Sequence, residues 1–221
     1  MTGSVPMDRL FSLDMPFRVF ARNTALVSIL GLLPLVLLYV ALTPGFGGHL
    51  AQGGPAMWRF LRQIATNGLP VVFAVNYVAF FLFARMKAAG PGARDPALVV
   101  PTDMVVRLGV FILLHAAIYV VSADWFNSFG GSRTTALRVV APTLARAAMF
   151  ENLSGVYLYA TLLGAVPVYA AAIERSPWLR PLARRVPGRF GAVLLSLAFC
   201  ALFALILSTV SAALVALQSV G

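Results

Sequence analysis

Charge is what this chain has least of. Only 11% of its 221 residues are charged, against 60% hydrophobic, where a soluble domain carries about 25% charged residues. That deficit, with a mean hydropathy of +0.89, excludes a soluble fold of this size for want of polar surface. Acid is scarcer than base, with seven Asp and Glu against seventeen Lys and Arg. A single cysteine, Cys200, excludes an intrachain disulfide and a cysteine metal site. The two histidines, His49 and His115, are too few for a b-type haem, because His49 falls in a loop and no second intramembrane ligand is present.

Catalytic signatures are missing too. No H-E-x-x-H, G-x-S-x-G, P-loop or dinucleotide fingerprint occurs, so no catalytic residue, metal or cofactor is assigned. No repeat recurs at a period of about 20–50 residues, and no pair of inverted halves is visible. Alternating segments of about 10 residues, the mark of a transmembrane β-barrel, are absent as well.

What is present is a series of apolar runs, several of them reaching the about 20 residues that cross a bilayer. They predict an all-α integral membrane protein, a single domain over 1–221 with about five spans at 24–42, 69–83, 104–121, 153–172 and 191–217. The leader, 1–23, holds Asp8 and Asp14 and no A-x-A site follows, so the first run reads as a span and not a cleaved signal. In the leader Leu10, Phe11, Phe17 and Phe20 suit an in-plane helix or a tail broken by Pro16. Pro34 is expected to kink the first span.

Between spans, Ala56 to Ala65 reads as a short amphipathic helix with Trp58, Arg59 and Arg62 at a headgroup level. A Gly/Pro-rich turn from Ala88 to Arg94 precedes Asp95. Asp103 suits the N-cap of the third span, with Arg107 snorkelling from its first turn. Residues 132–150 admit a surface helix, a re-entrant segment, an extension of the fourth span or a sixth crossing. Glu151 and Asp124 are expected to pair with Arg133, Arg138 or Arg146. Asn152-Leu-Ser154 matches a glycosylation sequon but is uninformative at a membrane edge.

The segment from Glu174 to Phe190 orients the chain. Arg175, Arg180, Arg184, Arg185 and Arg189 lie there, and basic residues in short loops resist translocation. Placing this loop in the cytoplasm puts twelve Lys and Arg inside and five outside, with the N-terminus in and the C-terminus out. The five arginines should contact anionic lipid headgroups. The net charge of +10 does not imply nucleic acid, because the basic residues are dispersed among loops. Sixteen of the seventeen are Arg, Lys87 excepted, which with abundant Ala and Gly points to a GC-rich bacterial genome and so to the bacterial inner membrane.

Two patterns could carry function. Small residues recur at every fourth position of the last span (Ala192, Ser196, Cys200, Ala204, Ser208, Ala212 and Ala216), a ridge that lets another helix approach closely. Asn76, His115, Thr161, Ser208 and Thr209 fall near one depth, about 10 Å into the hydrocarbon at 1.5 Å per residue. That layer fits either interhelical hydrogen bonding or a small polar site. With no Asp or Glu expected near a span centre, a carboxylate relay is disfavoured. The expected function is a non-catalytic accessory or assembly subunit of an inner-membrane complex, with other membrane subunits as partners. The alternative is a small transporter or channel for a neutral or anionic solute at Asn76 and His115. A lipid-modifying enzyme acting through loop 122–151 ranks third.

Overall fold

A computed structural model describes residues 11–88, 96–126, 133–186 and 190–218. Among these the regular structure is helical, with no strand: α1 (Phe17–Leu42), α2 (Phe46–Ala51), α3 (Pro55–Gln63), a π-turn (Ile64–Gly68), α4 (Leu69–Ala88), α5 (Pro96–Phe126), α6 (Arg133–Ala148), α7 (Leu153–Arg175), α8 (Leu179–Ala183) and α9 (Gly191–Gln218). Five helices are long and apolar enough to cross a membrane. The chain is a multi-pass α-helical membrane protein.

α7 is the centre of the bundle and packs against α1, α4, α5, α6, α8 and α9. Of its most apolar 18-residue window 78% is buried, against 6% for α9 and 22% for α1 and α5, which makes α7 the core helix and leaves the others a broad lipid face. α1 shows the division residue by residue. Phe20, Thr24, Val27, Ser28, Gly31 and Leu32 are buried. Leu26, Ile29, Leu30, Leu33 and Leu37 are exposed at helical spacing, as lipid requires. α1 meets α7 where Gly31 faces Ala160 and Gly164, with no side chain between the two backbones.

The spanning helices run alternately up and down. Val27 and Gly31 meet Gly164 and Ala160, Phe20 touches Tyr77, and Cys200 approaches Leu162, each an antiparallel register. Two apolar clusters stack along the bundle. One gathers Phe11, Phe20, Phe80, Met104, Leu162 and Tyr169 near the end where α1 begins, and the other gathers Leu32, Val72, Val75, Phe111, Tyr157 and Leu158 towards the far end.

Several boundaries differ from the sequence expectation. α1 starts at Phe17, directly after Pro16, so Phe20 belongs to the first helix. Phe11 is not at a lipid interface: it is buried, stacked on Phe80 at 3.9 Å. Pro34 lies within α1, which continues to Leu42. The short helix around Trp58 is not separate from the second span, since Pro55 to Met86 runs as one 32-residue helix through the π-turn. Pro70 explains that turn. It supplies no N–H and crowds the carbonyl four residues back, and the backbone widens instead, with the Leu69 N–H reaching Ile64 O.

α5 begins at Pro96, a full two turns before Asp103, so Asp103 lies inside the helix and is no N-cap. The segment at 133–148 is a helix packed against α5, α7 and α9. It is not among the five candidate spans. Residues 89–95 and 127–132, with Leu10 and Arg189, lie outside the described residues.

Candidate functional site

The most unusual group is a buried ion pair. Arg107 and Asp103 are each fully buried on α5, one turn apart, with Arg107 Nε donating to Asp103 Oδ2 at 2.6 Å. Snorkelling was expected of Arg107, but it stands nine residues inside the span that starts at Leu98, about 14 Å along the axis. Other helices supply the polar partners it would otherwise seek in water. Arg107 Nη1 donates to Asn76 Oδ1 on α4 and to Thr161 O on α7, the latter at 3.0 Å. The guanidinium lies over the Phe80 ring, 4.4 Å from its centroid. Asp103 Oδ2 also accepts from the Tyr169 hydroxyl at 2.6 Å, and Asn76 Nδ2 donates to Ser28 Oγ at 2.9 Å.

Residues of α1, α4, α5 and α7 thus converge on one buried cluster at the seam between the two apolar clusters. Removing two charges from water costs several kcal/mol per ion, and the bonds from Asn76, Thr161 and Tyr169 offset that cost. Two atoms have no hydrogen-bond partner, Asp103 Oδ1 and Arg107 Nη2. Asp103, expected as an N-cap, therefore lies within the span, five residues from its start at Leu98 and away from its centre. The i, i+4 spacing of opposite charges was the available signal. What was hidden is that three other helices present polar groups to the same face.

The second feature is a cavity of about 660 Å³ at the far end of the bundle. It is bordered by Tyr39 of α1, Thr66 and Asn67 of the π-turn, His115 and Tyr119 of α5, Thr143 of α6, Glu151 before α7, and Tyr157 of α7. The π-turn helps shape it. Gly68 allows the Tyr157 ring to lie so close that an added Cβ would be 2.5 Å from a ring carbon. Tyr157 is buried, and its hydroxyl has no hydrogen-bond partner. His115 Nδ1 lies 3.1 Å from Phe111 O; a carbonyl only accepts, so Nδ1 carries the proton and, in the neutral ring, Nε2 is left as acceptor. Asn152 is committed to structure: Oδ1 caps α7 by accepting from the Gly155 N–H at 3.1 Å, and Nδ2 donates to Thr143 O at 3.2 Å.

The residues of the expected polar layer are distributed over separate environments. Asn76 and the Thr161 carbonyl belong to the buried cluster. His115, eight residues beyond Arg107 and so about 12 Å further along α5, borders the cavity, which Asn76 does not. The Thr161 hydroxyl donates to Leu158 O at 2.7 Å. Ser208 donates to Ala148 O at 2.8 Å, an acceptor shared with the Tyr159 hydroxyl, so it ties α9 to α6. Thr209 donates to Leu205 O at 2.8 Å within its own helix and is exposed.

Along the ridge of α9, Ala192 and Ser196 are buried, Cys200, Ala204 and Ser208 half-buried, and Ala212 and Ala216 exposed. Arg175, Arg180, Arg184 and Arg185 are exposed at the opposite end from the cavity. Arg138, Arg146 and Glu151 are exposed too, and the side chains of Asp124 and Arg133 lie outside the described ones. The ion pair of the buried cluster is Asp103–Arg107, and among the described residues no group of three or more His, Cys, Asp or Glu is placed to hold a metal.

Comparison with protein-family models, curated proteins and solved structures finds no match to the chain. The two sites must therefore be read from their own residues.

Proposed function

We propose that this chain is a non-catalytic accessory or assembly subunit of a complex in the bacterial inner membrane, docked on its partner through α9. The observation that supports this reading is the state of that helix. From Ala192 to Ser208 its small residues pack against α7 and α6, whereas from Ala212 to Leu217 every residue is exposed. A small, flat surface such as Ala212 and Ala213 gains little from lipid chains and much from a close-packed helix. The Asp103–Arg107 cluster fits a static role: it joins four helices through bonds among its own members.

The proposed orientation has the N-terminus in the cytoplasm and the C-terminus outside, which keeps eleven of seventeen Lys and Arg inside and five outside, Arg107 being buried in the bundle. The exposed Arg175, Arg180, Arg184 and Arg185 then meet anionic headgroups.

The test is purification of tagged full-length protein in a lipid-retaining detergent, with mass spectrometry of co-eluting chains. The expected result is a stoichiometric membrane partner, lost from an Ala212→Trp/Ala213→Trp variant that melts as the parent does. Elution alone, or retention of the partner by that variant, sinks the reading. A second reading, a small transporter, is favoured by the cavity at His115. The cavity stops short of Asn76, and the Asp103–Arg107 cluster occupies the bundle beyond it. Solute flux into proteoliposomes, abolished by His115→Ala, would support transport over docking.

A further inference from the structure

The cavity differs in sign from the rest of the chain. Among the described residues that line it there is one carboxylate, Glu151, and no Lys or Arg, in a protein with a net charge of +10. Of those residues an anion would meet Glu151 and no cation. We propose that this cavity is a binding site for a primary or quaternary ammonium group, with Glu151 as counter-ion and the tyrosines around it as the recognition surface. The proposal is independent of whether α9 docks a partner, and it replaces the neutral or anionic solute expected from the sequence with a cationic one.

The chemistry of the lining argues for this class. Tyr39, Tyr119 and Tyr157 bring three electron-rich rings to one cavity, and an ammonium over such a ring is attracted by its quadrupole. Glu151 offers a carboxyl group as acceptor. The neutral His115 ring offers Nε2 as acceptor, because its Nδ1 proton is engaged by Phe111 O at 3.1 Å. Tyr157 borders the cavity, but its hydroxyl is closed off from solvent and has no hydrogen-bond partner, so what it offers an ammonium is its ring.

A cavity of about 660 Å³ is within the range of small-molecule sites, about 300–1,000 Å³, and is ample for an aminoalkyl head. Its place at the end of the helix bundle suits two sources of the same group, the ammonium of a phospholipid headgroup or a free amine in the aqueous phase.

The experiment uses the full chain in nanodiscs and reads thermal unfolding and binding by titration. One arm compares nanodiscs of phosphatidylglycerol alone with nanodiscs containing phosphatidylethanolamine. The other adds ethanolamine or choline to the phosphatidylglycerol discs. A rise in the unfolding midpoint with phosphatidylethanolamine only identifies the headgroup as source, and a saturable rise with soluble amine identifies the free amine. In either arm Glu151→Gln should weaken binding at least about tenfold, as loss of a partly shielded charge partner does. Tyr157→Phe, which keeps the ring and removes a closed-off, unpartnered hydroxyl, should leave the affinity unchanged and the ligand-free midpoint at or above the parent's. No response in either arm overturns the proposal, as does an unchanged affinity in Glu151→Gln or a larger shift with inorganic phosphate than with amine.

Discussion

Arg107 shows how one residue can be chemically legible and structurally misplaced by its sequence context. An Arg four residues after an Asp at the start of an apolar run reads as a capped helix with a snorkelling side chain. It becomes a core residue only because α5 starts earlier, at Pro96, and because Asn76, Thr161 and Tyr169 arrive from elsewhere in the chain. The four-residue spacing was visible; the partners, 31 to 66 residues away, were not. Truncation should be severe for that reason. Arg107→Ala leaves Asp103 buried without its counter-ion and should cost about 3–5 kcal/mol, seen as a large drop in the thermal midpoint of the detergent-solubilised protein. An Asp103→Leu/Arg107→Met double variant removes both charges and should recover most of that loss. If Arg107→Ala melts with the parent, the cluster does not hold the bundle together. If the double variant is no better than the single, the pair has a value beyond mutual neutralisation.

At the scale of helices, the apolar runs revealed five spans but neither their ends nor their contacts. Ends were obscured because Phe17 to Asn23 and Pro96 to Asp103 mix polar and apolar residues, and hydropathy marks where a run becomes apolar, not where a helix begins. The π-turn was hidden because the second span read as beginning at residue 69, whereas Pro70 widens a turn inside a longer helix. The α1–α7 crossing was hidden as well, although its glycines were in plain view. Gly164 has Val27 O 2.7 Å and Asn76 Nδ2 3.3 Å from where a Cβ would stand, whereas a Cβ on Gly109 of α5 would meet nothing within 4 Å. The two positions therefore make a matched pair. Gly164→Ala should push α1 from α7 and destabilise by about 1–3 kcal/mol. Gly109→Ala should be neutral or stabilising by up to about 1 kcal/mol, the helix-propensity difference. Equal midpoints for the two variants would show that the close crossing of α1 and α7 is not a tight one.

For the molecule as a whole, the bundle has one end rich in exposed arginine and another holding a cavity with one carboxylate, so the orientation decides where each is used. The proposed orientation has the arginine end in the cytoplasm by the positive-inside rule, because the opposite arrangement would translocate eleven of the seventeen basic residues. The ammonium site would then open to the side away from the cytoplasm, where it could meet outer-leaflet lipid or incoming solute. Orientation can be measured without disturbing either end. In a Cys200→Ala background, a single cysteine at Trp178, 78% exposed beside the arginines, reports one end. A cysteine at the exposed Gln52, in the turn between α2 and α3, reports the other. In intact spheroplasts a membrane-impermeant maleimide should label Gln52→Cys at once and Trp178→Cys only after permeabilisation. The inverse pattern would overturn the orientation and place the cavity towards the cytoplasm, but it would leave the lining of that cavity, and hence the ammonium proposal, to be judged by the binding titration alone.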